Sequence, residues 1–371
     1  MQIEVTVSQH NIEADCSVDI QNSRYIFSLA SGFRVSAITN NGRAVSDIRK
    51  EDCFMQFRPA MTKYTVEGLE AGSLKICYAG VPSGNFAFMT DAFIHFSYYN
   101  GWYPVGYDAG NTYEIALLVD DDYEVLHVEF DVKNKKWLYI EKDDAFPDCN
   151  IICMHKAMTL SIKSDDVNIY WFDKDKTETA ETLYRYYGEI CRFYRDLYRN
   201  NKISHTDIVM TPGNYRMGAY MRKDLIVFSE MDPDTDFIHV LAHEIGHAYA
   251  AGADTASYHD WLNETHAEWS ALLYLEKFRP KLFKDLTEKM EAESGGSDNR
   301  LCLRECGDRR PDNVHRTGTL IYYRIYKEYG SEVIAELLRI FDLLEKKDTD
   351  GFLEQVSEYN GDVADLIKLY L

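Results

Sequence analysis

The segment His243-Glu244-Ile245-Gly246-His247 points most directly to chemistry in this chain. Residues four apart share a helix face, so two imidazoles can reach a single metal ion from successive turns. The glutamate between them lies at the edge of that face, where a carboxylate can hold a water and take its proton. An HExxH pattern can also sit on a solvated helix, but here its neighbours are Ile238, Val240, Leu241, Ala242, Ile245, Ala248 and Tyr249. A helix so flanked is buried, and three burial-averse side chains within it need a shared partner. A zinc ion supplies one. His239 extends the histidine stripe by a further turn. Three imidazoles on a straight helix cannot all meet one tetrahedral ion at about 2 Å, so His239 is read as a capping-turn residue.

A third ligand must come from elsewhere. The elongated metzincin pattern would need Gly and His where the chain has Ala250 and Ala253, which excludes that subclass. The next acidic segment is Trp261-Leu262-Asn263-Glu264-Thr265-His266-Ala267-Glu268-Trp269. As a helix it presents Glu264 and Glu268 on one face and His266 on another. Glu268 is then either a surface charge or a carboxylate that accepts from a ligand histidine.

His243–His247 followed by Trp261-Leu262-Asn263-Glu264 resembles the zinc signature of the gluzincin family of aminopeptidase N and leukotriene hydrolase. The resemblance implies that His243, His247 and Glu264 hold one Zn2+ per chain. It also implies a peptide substrate, with Glu244 as the general base of peptide-bond hydrolysis. Sixteen residues separate His247 from Glu264, fewer than the family's spacing, and strict counting selects His266, also a zinc-binding residue type. Gly101-Trp102-Tyr103-Pro104 resembles the Trp-Tyr-Pro segment of the family's amino-terminal β domain. Gly218-Ala219-Tyr220-Met221-Arg222 stands where the family carries its Gly-x-Met-Glu-Asn edge strand, which assigns Gly218, Ala219, Tyr220 and Arg222 to substrate binding. The glutamate with which exopeptidase members capture a free amine is absent there, so the choice between exopeptidase and endopeptidase stays open. Arg216 and Arg222 would favour a carboxylate, while Glu230 or Asp232 could take over the amine. His315-Arg316-Thr317-Gly318 matches the segment that carries the family's oxyanion-stabilising tyrosine, which puts His315 in that role, with Tyr322 and Tyr323 nearby. A catalytically decayed zinc scaffold or peptide-binding protein is the competing reading. Epoxide hydrolysis rests on one branch of the family alone.

These residues need elements to hold them. A length of 371 residues suggests two domains, and 46% hydrophobic content supplies their cores. With 40 basic against 61 acidic residues the formal charge is −21, which disfavours nucleic acid or an anionic membrane as partner. The chain shows neither an apolar run of the roughly 20 residues a bilayer span needs nor a basic-then-apolar start, so a cytoplasmic protein is expected. The eight cysteines form no CxxC unit and are expected to be reduced thiols. Oligomeric state cannot be read from these features. Strand-like runs at Glu4–Val7, Arg24–Leu29, Ser73–Tyr78, Glu114–Val119 and Lys136–Glu141, separated by turn signals, predict an antiparallel β domain over residues 1–163. Strands at Val167–Phe172, Asp207–Met210 and Leu225–Phe228 then give way to helices at Thr177–Arg199, Thr235–Ala251, Asn263–Phe278, Val314–Tyr329, Ser331–Leu344 and Val363–Leu371. The expected fold class is α+β: the β domain is followed over residues 164–371 by a thermolysin-like, mostly helical catalytic domain.

Overall fold

The computed structural model describes residues 1–8, 11–106, 112–141, 148–203, 205–213, 218–229, 237–294 and 309–371. The chain divides into two compact units, Met1–Thr159 and Leu160–Leu371.

The first unit is built on alternation. In Gln2–Ser8 the side chains of Ile3, Val5 and Val7 are buried while their neighbours face out, and Asn11–Ile20 begins with the same period of two. These strands belong to an eight-stranded sheet ordered Glu129–Asp131, Lys136–Glu141, Tyr113–Leu118, Gln2–Ser8, Asn11–Ile20, Gly72–Gly80, Arg34–Asn40, Arg43–Ala44. Its neighbours run antiparallel except Gln2–Ser8 and Tyr113–Leu118, which are parallel. Two four-stranded sheets complete the unit. Trp102 and Tyr103 are fully buried, and Trp102 Nε1 donates to the Cys149 carbonyl at 2.9 Å. That pairing makes the Gly-Trp-Tyr-Pro segment a core element. The six described cysteines are free thiols, and Cys302 and Cys306 lie outside the described residues.

The second unit carries a five-stranded sheet ordered Leu160–Lys163, Val167–Trp171, Thr206–Met210, Leu225–Phe228, Ala219–Arg222. Its inner pairs are parallel and its outer pairs antiparallel. Against it pack helices α1 (Thr177–Tyr198) and α2 (Phe237–Gly246). Then come α3 (Asp260–Phe278), α4 (Pro280–Ser294), α5 (Val314–Tyr329), α6 (Ser331–Leu343), α7 (Thr349–Tyr359) and α8 (Gly361–Tyr370). The buried stripe of α1 is Leu183, Tyr187, Ile190, Tyr194 and Leu197, as its periodicity predicts. No described helix is long and apolar enough to cross a membrane.

Three expectations need correction. Helix α2 stops at Gly246, short of Ala251. Beyond it the bonds tighten to three-residue spacing, from His247 N to Glu244 O at 3.1 Å and from Ala248 N to Ile245 O at 3.1 Å. Helix α3 begins at Asp260 rather than Asn263. Helices α4 and α7 were not anticipated, because their charge-rich stretches show only short apolar stripes. Pro280 opens α4 with a preset φ, and the Asp348 carboxylate caps α7 by accepting from Gly351 N at 2.8 Å.

Gly246 sets the separation of α2 and α3. A Cβ there would stand 3.0 Å from the Ala267 carbonyl oxygen and 3.1 Å from its Cα, and backbone cannot rotate away. Gly246→Ala is therefore expected to cost about 1–3 kcal/mol in denaturant unfolding. Gly361→Ala, at a helix start with nothing within 4 Å, should be neutral or stabilise by up to about 1 kcal/mol. Equal effects at the two positions would refute this account of the helix contact.

Candidate metal centre

His243 on α2, His247 in the tightened turn after it and Glu264 on α3 converge. One ligand atom from each lies within 4.8 Å of the others. His243 Nε2 is 3.5 Å and His247 Nε2 3.7 Å from the same oxygen, Glu264 Oε2. Around a tetrahedral ion with bonds of about 2 Å the ligand atoms stand about 3.3 Å apart, so the donor set fits zinc in both chemistry and spacing.

The other ring nitrogens are tied back. His243 Nδ1 donates to Glu268 Oε2 at 2.9 Å, and His247 Nδ1 lies 3.3 Å from the Ala250 carbonyl. With Nδ1 so engaged, Nε2 is the nitrogen of each ring that turns toward Glu264 and would ligate a metal. The second oxygen of Glu268 meets His239 Nε2 at 2.9 Å. His239 is thus not simply a capping residue: it sits in the first turn of α2 and shares Glu268 with His243. Spacing along a single helix could not reveal this, because the partner comes from the next helix. Burial by itself would raise the Glu264 and Glu268 carboxyls, yet the facing imidazoles hold both well below the usual carboxylate range. Burial would likewise lower His243, but Glu264 and Glu268 outweigh it and hold this imidazole well above its ordinary value. The pocket between the two helices is electrostatically arranged for a cation.

His266 is elsewhere. Fully buried on another face of α3, it donates from Nδ1 to the Leu262 carbonyl at 2.6 Å and accepts at Nε2 from Tyr322 Oη at 3.0 Å. Its ring lies 4.3 Å from that of Phe341, and burial pushes it down to about 3. Tyr322 is thereby committed to the core, and Tyr323 donates to Glu291 at 2.5 Å. His315, in the first turn of α5, does reach the centre: its Nδ1 is 3.0 Å from Glu264 Oε2. Glu244 is only 6% exposed, and among the described residues its carboxylate forms no hydrogen bond or ion pair. The rest of the Trp-Leu-Asn-Glu segment is structural. Trp261 Nε1 donates to Thr349 Oγ1 at 3.0 Å, and the Asn263 amide bonds both the N–H and the carbonyl of Ala253, at 3.1 and 3.0 Å, closing the α2–α3 loop.

The strand Ala219–Arg222 lies at one edge of the five-stranded sheet, paired with Leu225–Phe228 and packed against α2. Gly218 precedes it with φ +78° and accepts at its carbonyl from Ser229 N and Oγ, at 3.0 and 2.8 Å. Tyr220 is buried, and the Arg222 guanidinium donates to the Met221 carbonyl at 3.0 Å. Arg216, Glu230 and Asp232 lie outside the described residues.

A further residue went unseen in the sequence. Arg310, shortly before α5, donates from Nε to Asp260 Oδ2 at 2.5 Å and from Nη2 to His315 Nε2 at 3.1 Å, and it lies 3.7 Å from Glu264 Oε1. No motif marks it. Its partners lie on two different helices. Replacement of Glu268, which orients His243, by Ala is expected to weaken zinc binding by about 10–100-fold, measured by competition with a chromophoric chelator. His266→Asn should leave zinc affinity unchanged among molecules that remain folded. Loss of affinity at His266 but not at Glu268 would invert this assignment.

No sequence-family model and no curated protein sequence matches the chain. Its fold, in contrast, is similar to several solved structures. An M1 zinc metallopeptidase from Deinococcus radiodurans matches over 100% of this chain and 92% of its own, with TM-score 0.61 and 14% identity. The same enzyme bound to a Tyr-Ser-Ala substrate matches with TM-score 0.61 and 15% identity, again over 100% and 92%. Native leukotriene A4 hydrolase from Saccharomyces cerevisiae matches over 99% of this chain and 65% of that one, with TM-score 0.66 and 12% identity. The chain therefore has the fold of these M1 zinc metallopeptidases and of leukotriene A4 hydrolase.

Proposed function

We propose that this protein is a zinc-dependent peptidase in which His243, His247 and Glu264 hold the metal and Glu244 is the general base. The observation that carries this reading is the convergence of the three donors, with the outer nitrogens of both histidines already engaged. Bound zinc would act there as a Lewis acid, polarising a peptide carbonyl and making a water acidic enough to serve as nucleophile near neutral pH. Glu244 takes the proton of the attacking water and passes it to the leaving amine. Its burial beside His243 suits that exchange. Glu268 orients His243 and raises its basicity as a ligand. His315 would turn its one N–H, at Nδ1, from Glu264 to the oxyanion that develops as the carbonyl is attacked. The edge strand Ala219–Arg222 offers main-chain groups to an extended peptide, since strand addition needs no particular side chain. The Tyr-Ser-Ala bound to the Deinococcus enzyme supports a peptide as the substrate class.

Elemental analysis of the purified protein should find about one zinc per chain; a protein that takes up none when zinc is supplied ends this reading. Glu244→Gln is expected to lower hydrolysis of a peptide library by at least about 10²-fold while zinc content and folding stay unchanged. A variant as active as the wild type would remove Glu244 from the mechanism. Because the Gly218–Arg222 segment has no carboxylate for a substrate ammonium, acetylating the amino terminus of a cleaved peptide should not abolish its cleavage. Mass spectrometry of matched free and acetylated peptides decides this, and strict dependence on the free amine would assign another acidic residue to that role.

A further inference from the structure

The contact between Arg310 and His315 restricts what His315 can do. An arginine has only donors to offer, so the 3.1 Å contact from its Nη2 to His315 Nε2 requires a lone pair on that nitrogen. The ring proton then sits on Nδ1, which faces Glu264 Oε2 at 3.0 Å. That is the same oxygen toward which His243 Nε2 and His247 Nε2 turn. Arg310 is itself anchored: its side chain is 7% exposed and is bound through Nε to Asp260, one turn before Glu264 on α3. His315 has no comparable support, since its side chain is 59% exposed at the start of α5. An imidazole one hydrogen bond away from a metal-binding carboxylate is a potential fourth ligand if its Nδ1 carries a lone pair. A fourth protein ligand would turn a centre with an open position into a closed, structural one.

We propose that Arg310 is a positioning residue that holds His315 as an Nδ1–H donor and so keeps it from ligating the metal. This rests on the reading of His243, His247 and Glu264 as the zinc ligands. Arg310 also lies 3.7 Å from Glu264 Oε1, a contact that stays in place when only His315 is replaced. It acts through the tautomer of His315, much as a carboxylate fixes the tautomer of a ligand histidine.

The direct test is nitrogen-detected NMR of selectively labelled histidine in the wild-type protein, with and without zinc. His315 should carry its proton on Nδ1 in both states, and a proton on Nε2 would overturn the proposal without any variant. The second test is a double-mutant cycle read as zinc affinity. In the wild-type background His315→Ala should change the affinity by less than about threefold. With Arg310→Met, His315 is released to ligate, and the same His315→Ala change should now lower affinity by about tenfold or more. Equal responses in the two backgrounds would overturn the proposal. If Arg310→Met fails to fold because Asp260 loses its partner, Arg310→Lys keeps a cation beside Asp260 without the planar fork and carries the same expectation. A protein that binds no zinc in any background would end the zinc reading itself. Normal zinc uptake with equal responses ends only the role of Arg310.

Discussion

The centre depends on how closely α2 and α3 approach each other. The two helices meet where Gly246 lies against the Ala267 backbone, and the absence of a side chain there lets them come near enough for carboxylates on one to meet imidazoles on the other. Glu268 uses that proximity twice, engaging His239 with one oxygen and His243 with the other. Glu264 uses it at the next turn, toward His243 and His247. A wider crossing would leave the buried Glu268 carboxylate without its two imidazoles and separate Glu264 from His243 and His247. Burying a charge without a partner is among the most costly arrangements a fold can contain.

The same helix α3 also has to be a core helix. Trp261, Leu262, Ala267, Trp269 and Leu272 are fully buried, and its polar residues are sorted by direction. Toward α2 go Glu264 and Glu268. Toward α5, α6 and α7 go His266, Trp261 Nε1 and Trp269 Nε1, which bond to Tyr322, Thr349 and the Thr319 carbonyl. Each buried polar atom so engaged fixes the rotation of α3 about its axis. That rotation decides which of its ionisable residues face the histidines of α2 and which are sealed in the core. Helix α5 packs closely as well: a Cβ on Gly318 would overlap Thr265 Oγ1 at 1.8 Å, and this approach brings His315 to the Glu264 carboxylate.

Much of the site was legible because its parts are local. HExxH declares itself through the geometry of one helix, and the buried character of α2 could be read from its flanking residues. The strands Arg24–Ala30, Lys136–Glu141 and Leu225–Phe228 and the helix Thr177–Tyr198 follow from period and turn residues alone, to within a residue or so of the expected ends. Where the chain's local signal was weak, the reading failed. The charge-rich helices Pro280–Ser294 and Thr349–Tyr359 have narrow apolar stripes that are recognisable only against the surface they cover. The end of α2 was misplaced because an apolar run continues to Ala251, while the backbone turns at Gly246 under contact with another helix.

Glu264 against His266 marks the limit of what sequence could decide. Both residues can bind zinc, both lie on α3, and the interval from His247 favoured the histidine. Periodicity could place them on different faces but not say which face turns toward α2, since both faces are buried. The sequence by itself determined the two histidines, the glutamate between them and the order of the elements, because each of these depends on neighbours a few residues away. The meeting of Glu264 with His243 and His247, the sharing of Glu268 between His239 and His243, and the placement of Arg310 on His315 were decided only in three dimensions. Each is a contact between elements distant in the chain, set by helix packing, and one-dimensional spacing carries no record of the angle at which two helices cross.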